Sequence, residues 1–252
     1  MSIALGLYDE LLRPIGPVRI ARIVIGVNWT MVESETGCGL AQTPRRDAPG
    51  CQPIAGAGDL AKRDLRSVAD LIRSANPMET ALGMAAINAF HNRPGLKGSS
   101  ENGLDAFAAV DGPVTVVGRF PGLERHLQYF RIVEREPRDG EFPEDEFGAL
   151  AAESAGIVIT ASTLANKSAE RLFELSVGKR IAIVGPGTPL APSLHSLGVE
   201  VLAGSIVENA DLAATIVAQT IVAQTGGAAA LKQAYRYVTL KAPPQSPGPP
   251  AG

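Results

Sequence analysis

The sequence is poor in the residues that hold metal ions and disulfides. Its 252 residues include 2 cysteines and 3 histidines. Cys38 and Cys51 are too few for a disulfide framework and fit a reducing compartment, although they could still pair or bind a metal. His91, His126 and His195 show no spacing that would place two of them on one face of a helix or strand. Sequence spacing therefore predicts no metal site.

Excess charge and long apolar runs are also missing. The net charge is −3, and the lysines and arginines are scattered, so no strong field attracts nucleic acid or an anionic membrane. No run approaches the length of a transmembrane helix. Residues 1–12 carry Asp9 and Glu10 in place of the basic start of a secretion signal. We therefore expect a folded, cytoplasmic protein whose partners are neither nucleic acid nor membrane.

Residues 1–111 predict a small α+β domain. Apolar positions at helical spacing predict a helix over residues 2–13 and two further helices, the second of which begins at Pro77. Alternating and β-branched residues predict strands at residues 18–27, 29–34 and 38–43, of which the first two form a hairpin. The expected arrangement is an antiparallel sheet covered by helices.

Residues 112–240 predict an α/β domain, which follows a glycine-rich connector. Strands alternate with helical patterns such as the one that runs from Ala165 to Ser176, and this alternation predicts a parallel sheet with right-handed crossovers. The strands are predicted at residues 114–118, 130–135, 157–160, 180–185 and 199–203. Residues 241–252 are rich in proline and glycine, so we expect a disordered tail.

Three of these strands end in glycine or hydroxyl residues, at Gly118, Thr160 and Gly185. Such turns let backbone N–H groups approach an anionic or carbonyl-bearing ligand. Each turn alone is typical of an ordinary strand-to-helix connection, but three together favour a binding crevice. If the second strand lies on one side of the first and the third on the other, the ligand sits between Gly118 and residues 160–167.

Several side chains near this crevice have chemistry suited to a small ligand. Phe120 could stack on a flat ring, and Lys167 would favour a phosphate or carboxylate. Neutral donors and acceptors come from Ser162, Thr163 and Asn166. Glu134 or Glu136 stands where an acidic residue often binds a ribose hydroxyl. The turn lacks the G-x-G-x-x-G fingerprint, however, so standard NAD binding is not expected.

Four segments together resemble the "putative heavy-metal chelation" family: residues 76–89, 116–122, 157–166 and 184–190. The resemblance extends over residues 1–240. It implies an enolase-N-terminal-like domain joined to a Rossmann-like domain, with a cleft between them that handles a divalent heavy metal or a metal chelate. The positions that it assigns to ligand binding are Asn76, Glu79, Asn88, Gly118, Phe120, Thr160, Ser162, Thr163, Asn166, Gly185, Pro186 and Thr188.

The first-domain positions also have simpler interpretations. Asn76 precedes Pro77 at a helix start, so it could project toward a ligand or only cap the helix. Asn88 could bind a ligand or make an ordinary hydrogen bond. Trp29, Thr30 and Cys38 are further loop candidates, although a lone cysteine is more often a buried packing residue.

Three kinds of function stay open. The first is binding of a small anionic ligand or metal chelate in the interdomain cleft, or an enzyme of pterin- or nucleotide-like metabolism that uses the same cleft. The second is direct metal binding, for which Cys38, His91 and Glu79 would have to converge in space. The third is a non-catalytic assembly partner that forms a homodimer through the edge of the first sheet. A Ser-His-Asp hydrolase is disfavoured because no G-x-S-x-G segment occurs.

Overall fold

The computed structural model describes residues 6–45, 49–50, 52–219 and 230–243. Cys51, the start of the predicted first helix and residues 244–252 of the predicted tail lie outside this range. The strands are β1 (Ile20–Ile25), β2 (Trp29–Ser34), β3 (Cys38–Gln42), β4 (Val114–Val117), β5 (Phe130–Glu134), β6 (Phe142–Pro143), β7 (Gly156–Thr160), β8 (Ile181–Val184), β9 (Val199–Val207) and β10 (Tyr235–Lys241). The α-helices are α1 (Leu7–Leu12), α2 (Leu65–Ala69), α3 (Pro77–His91), α4 (Phe147–Glu153), α5 (Ser162–Ala165), α6 (Ala169–Leu175) and α7 (Ala210–Gln219).

The first sheet is antiparallel and has the order β1-β2-β3, so the predicted hairpin and third strand are confirmed. Alternate residues of β2 point to opposite faces. Val32 packs into the core that includes α3, whereas Met31 packs against Ala213 and Val217 of α7. Both faces of this small sheet are therefore buried, one of them by a helix from the far end of the chain.

The second sheet has the order β10-β9-β8-β7-β4-β5-β6. Strands β4 to β9 are parallel, and β10 is antiparallel to β9. Strand β5 lies on one side of β4 and β7 on the other, so the predicted reversal of strand order occurs here. The predicted α/β class with a parallel-dominated sheet is confirmed. Strands β6 and β10 were not predicted, and Lys241, expected to begin the tail, is the last residue of β10.

The helical pattern over residues 165–176 covers the last residue of α5 and the whole of α6, and a turn separates the two helices. Lys167 has a φ of 66°, the left-handed region that residues other than glycine rarely occupy. This backbone conformation ends α5 and redirects the chain before α6 begins. The Lys167 ammonium group donates to the carbonyl oxygen of Ser74 at 2.5 Å, which ties this turn to the first part of the chain.

Helix α3 begins at Pro77, as predicted, and the Asn76 side chain caps it by accepting a hydrogen bond from the Met78 amide at 3.0 Å. The helix packs closely on the small sheet because β3 carries a glycine beneath it. A Cβ added at Gly39 would lie 2.1 Å from the Ala85 carbonyl oxygen and 2.2 Å from the Ala89 amide nitrogen. The missing side chain therefore sets the distance between α3 and β3.

Replacing Gly39 with alanine should destabilise the protein, because backbone must move to admit the methyl group. We expect Gly39→Ala to lower the free energy of unfolding by about 3 kcal/mol. Gly58→Ala is the matched control, since an added Cβ there has no neighbour within 4 Å. Urea unfolding of the two variants checks this expectation, and equal stabilities would contradict the close approach of α3.

Candidate functional site

A cleft lies between the small sheet and the carboxyl ends of β7 and β8. Its lining residues are Trp29, Ala41, Gln42, Met84, Thr160, Ala161, Ser162, Ala165, Gly185, Pro186 and Gly187. The cleft encloses about 40 Å³, which is room for a few water molecules. A complete nucleotide or pterin does not fit within that volume. The cleft can therefore enclose only part of a ligand of that size.

The lining of the cleft is neutral. Trp29 and Met84 supply apolar surface, and the remaining side chains are small or carry an amide or hydroxyl group. The hydroxyls belong to Thr160 and Ser162, which lie 3.4 Å apart. None of the described lining residues carries a charge. Such a surface recognises shape, apolar area and hydrogen-bonding edges rather than net charge.

The carboxyl end of β4 lies beside this cleft. Gly118 has a φ of 99°, and a Cβ added to it would lie 2.8 Å from the Thr160 methyl carbon. Only glycine can adopt that backbone and leave room for Thr160. Thr163 donates its hydroxyl to the Thr160 carbonyl oxygen at 2.7 Å, so it stabilises the turn after β7.

The structure brings some of the predicted site residues to the cleft and leaves others away from it. Thr160, Ser162, Gly185 and Pro186 line it. The predicted residues that do not line it are Asn76, Glu79, Asn88, Gly118, Phe120, Thr163, Asn166, Lys167 and Thr188. Trp29, a loop candidate from the sequence, also lines the cleft, and it lies in β2.

Several residues of the second group have local partners. Asn76 caps α3, and its amide donates to the Gln52 carbonyl oxygen at 2.9 Å. Glu79 accepts a hydrogen bond from the Ser74 hydroxyl. Asn166 is exposed and accepts hydrogen bonds from the Ser168 amide at 3.0 Å and hydroxyl at 2.7 Å. The capping interpretation of Asn76 therefore agrees with the structure.

Two buried asparagines, Asn88 in α3 and Asn92 at its C-cap, connect the helix to the loop after β8. Asn88 donates to the carbonyl oxygens of Leu40 and Gly187, at 2.7 and 2.8 Å. One turn later, Asn92 donates to the Thr188 carbonyl oxygen at 2.8 Å and accepts from the Leu190 amide at 2.8 Å. Sequence reasoning missed Asn92. The four-residue spacing of two asparagines at the end of an alanine-rich apolar helix was the available signal.

An ion-pair network occupies the ends of β4 and β5, where a dinucleotide would bind in many folds of this kind. Arg119 donates to the Glu141 carboxylate at 2.7 Å and to the Glu136 carbonyl oxygen at 2.7 Å, and it lies 3.7 Å from Glu134. Arg45, from the loop after β3, pairs with the Glu136 carboxylate at 3.2 Å. Both glutamates considered for a ribose therefore face arginines of this chain.

The described residues do not form a site for a bare metal ion. No three of their histidine, cysteine, aspartate or glutamate side chains lie close enough together to hold one. Cys38 is buried, which raises the pKa of its thiol to about 12. His91 is buried and hydrogen-bonded to the Leu11 carbonyl oxygen at 2.8 Å, and burial lowers its pKa. Within the described part of the chain, Cys38, His91 and Glu79 thus do not form a ligand set.

Comparison with known proteins identifies relatives that share both parts of the chain. Two family models match, DUF4213 over residues 8–91 and DUF364 over residues 104–241, and both are described as "putative heavy-metal chelation". No protein of curated function matches. Across the described residues, no helix has both the length and the apolar character needed to cross a membrane.

Two solved structures resemble this one along nearly their whole length. A DUF364-family protein of unknown function from Desulfitobacterium hafniense DCB-2 is 30% identical, with a TM-score of 0.81 over 94% of this chain and 98% of that chain. A second protein of unknown function from the same family, from Pyrococcus horikoshii, is 18% identical, with a TM-score of 0.77 over 95% of this chain and 99% of that chain. The second likeness supports the fold alone.

The Arg119 network predicts a specific response to acid. The Arg119 guanidinium lowers the pKa of Glu141 from 4.5 to about 2 in the folded protein. This pair therefore stabilises the fold above about pH 4.5, and its contribution is lost as the pH falls toward about 2. Glu141→Gln should show a smaller loss of stability over that range than the unmodified protein.

Urea unfolding at a series of pH values measures this difference. Glu124→Gln, at an exposed position, is the matched control and should follow the unmodified protein. Identical acid profiles for the two variants would show that the Arg119–Glu141 pair does not couple to folding.

Proposed function

The chain belongs to the family described as "putative heavy-metal chelation", and from that premise we propose that it binds a small organic ligand, or a metal ion already chelated by one, in the cleft between its two sheets. The observation that carries the proposal is the neutral lining of a cleft built from both parts of the chain.

The lining argues against capture of a free ion and for recognition of an organic group. Soft metals require thiolates or imidazoles, and hard metals require carboxylates, to replace the water that an ion loses on binding. The cleft supplies hydroxyls, one amide and main-chain groups. A chelate brings its own metal donors, so the protein has only to bind the organic periphery. The family description is compatible with this cleft in that form.

The arrangement of the lining favours a ligand with one flat apolar face and one polar or anionic edge. Trp29 and Met84 would contact the face, and Gln42, Thr160 and Ser162 would hydrogen-bond the edge. The enclosed volume of about 40 Å³ means that part of the ligand lies outside the cleft. We therefore propose binding rather than acid–base catalysis, since none of the described lining residues is an aspartate, glutamate, histidine, lysine or cysteine that could exchange a proton.

A second proposal, self-association through the edge of the small sheet, has its own observation. Ile25 of the edge strand β1 and Val27 beyond it are 38% and 44% exposed. Exposed apolar residues at a sheet edge favour pairing with a second copy. Sedimentation equilibrium measures this directly, and a monomer at all concentrations would reject it.

Tryptophan fluorescence reports on the cleft, because Trp29 lines it and is the single tryptophan of the sequence. We expect nickel, cobalt or zinc ions presented as citrate or histidine chelates to change the fluorescence of Trp29 and raise the melting temperature. The same metal ions without a chelator, at the same total concentration, should change neither the fluorescence nor the melting temperature. Free ions that bind in a one-to-one ratio and shift the melting temperature, while chelates do not, would contradict the proposal.

Ser162→Ala tests the place of binding. Loss of the hydroxyl should weaken the binding of a chelate by about tenfold, equivalent to about 1.4 kcal/mol, because one hydrogen bond to the ligand is lost. Ser196→Ala is the matched control, since that exposed hydroxyl donates only to the Ser193 carbonyl oxygen in the second part of the chain. Equal affinities for the two variants would place the ligand elsewhere.

A further inference from the structure

We infer that Asn88 is a positioning residue that fixes the width of the cleft, by binding one main-chain carbonyl from each wall with a single amide nitrogen. The effect of cleft width on ligand choice rests on the proposed function. The effect of Asn88 on cleft width can be tested without any ligand.

The two hydrogen bonds of Asn88 join different parts of the chain. Leu40 lies in β3 of the small sheet, and Gly187 lies in the loop after β8 of the large sheet. Their carbonyl oxygens lie 2.7 and 2.8 Å from the same Asn88 nitrogen, so they are within about 5.5 Å of each other. Ala41, next to Leu40, and Gly187 both line the cleft. The amide therefore holds the two walls at a set distance.

Asn88 lies beneath the cleft rather than in it. Met84, which lines the cleft, is one helical turn before Asn88 on the same face of α3. Asn88 has an exposed fraction of 0%, so it reaches neither solvent nor the cleft surface. The side chain therefore acts on a ligand only through the main chain that it holds.

The glycines of both walls match this spacing. Gly39 lets α3 approach β3 closely, and this approach brings a side chain as short as that of asparagine within reach of the Leu40 carbonyl oxygen. A Cβ added at Gly187 would lie 3.3 Å from the same carbonyl oxygen, closer than such contacts usually are. Gly39 thus allows the short distance between α3 and β3, and Gly187 allows the short distance between the loop after β8 and β3.

The amide nitrogen makes both contacts, whereas the buried Asn88 Oδ1 has no hydrogen-bond partner among the described residues. One nitrogen with two hydrogens can satisfy two carbonyl oxygens at once, whereas a hydroxyl or a protonated carboxyl donates only once. Asn92 repeats the arrangement one turn later, with hydrogen bonds to the Thr188 and Ser205 carbonyl oxygens at 2.8 and 3.0 Å. Asn88 and the C-cap residue Asn92 consequently hold the loop after β8 at Gly187, Thr188 and Leu190.

Replacing Asn88 with alanine removes both hydrogen bonds and should let the walls separate. The measurement is acrylamide quenching of Trp29 fluorescence in the ligand-free protein, well below its melting temperature. We expect the quenching constant to rise about twofold, because local opening exposes the indole. Asn102→Ala is the matched control: Asn102 caps the turn over Gly103–Phe107, so its loss affects stability without touching the cleft.

Gly187→Ala provides a second variant if Asn88→Ala does not fold. Its methyl group pushes on the Leu40 carbonyl oxygen while the asparagine stays, so quenching should rise in the same direction by a smaller factor. Quenching constants equal to that of Asn102→Ala in every folded variant would overturn the inference.

Chelate binding separates this inference from the proposed function. The quantity to compare is the affinity for bulkier nickel chelates divided by the affinity for nickel citrate. Because the cleft is wider, we expect this ratio to be higher in Asn88→Ala or Gly187→Ala than in the unmodified protein. If quenching rises but no chelate binds to any form, the positioning role stands and the proposed function fails. If chelates bind equally to all forms and quenching is unchanged, the proposed function stands and the positioning role fails.

Discussion

The structure depends on how closely α3 approaches two sheets at once. Gly39 removes the side chain that would keep the helix away from β3, and Asn88 and Asn92 then reach carbonyl groups beyond the small sheet. Buried carbonyls that lose their partners destabilise a fold more than the same hydrogen bonds stabilise it. The contact between the two parts of the chain therefore favours one distance between the small sheet and the loop after β8. This distance also sets the width of the cleft.

Two properties of the cleft follow from this contact. Part of its lining is glycine and alanine, at Ala41, Ala161, Ala165, Gly185 and Gly187, where strands from two sheets meet at one helix. Its polar groups are neutral, because an ion buried there would have no counter-ion among the described lining residues. Charged groups lie outside the cleft, for example at the ends of β4 and β5, where Arg119 and Arg45 pair with glutamates. The fold thus separates a charged surface network from a neutral cleft.

Local patterns predicted the elements well and the contacts between them poorly. Asn76-Pro77 identifies the start of α3, and the β-branched runs identify β4, β7 and β8, because caps and strand propensities act over a few residues. Asn88 was selected from the sequence, but its partners are 48 and 99 residues away, which no local pattern encodes. Asn166 and Lys167 follow β7 as a ligand-binding segment would, yet Asn166 accepts a local hydrogen bond from the Ser168 amide and Lys167 donates to the Ser74 carbonyl oxygen. The strand β10 was missed although Tyr235 to Lys241 has strand propensity, because it follows the parallel pattern as an antiparallel addition.

The difference between local patterns and contacts between distant residues also matters for metal binding. A protein that captures free ions must bring charged donors together from distant positions, and the described residues contain no such cluster. A protein that binds a chelate leaves metal coordination to the ligand and needs only a surface of the right width and hydrogen-bonding pattern. Selectivity then arises from the distance between two walls, and a change of one methyl group at Gly187 would alter it without changing any charge. If the cleft binds a chelate as proposed, the residues that hold its walls decide which chelate fits.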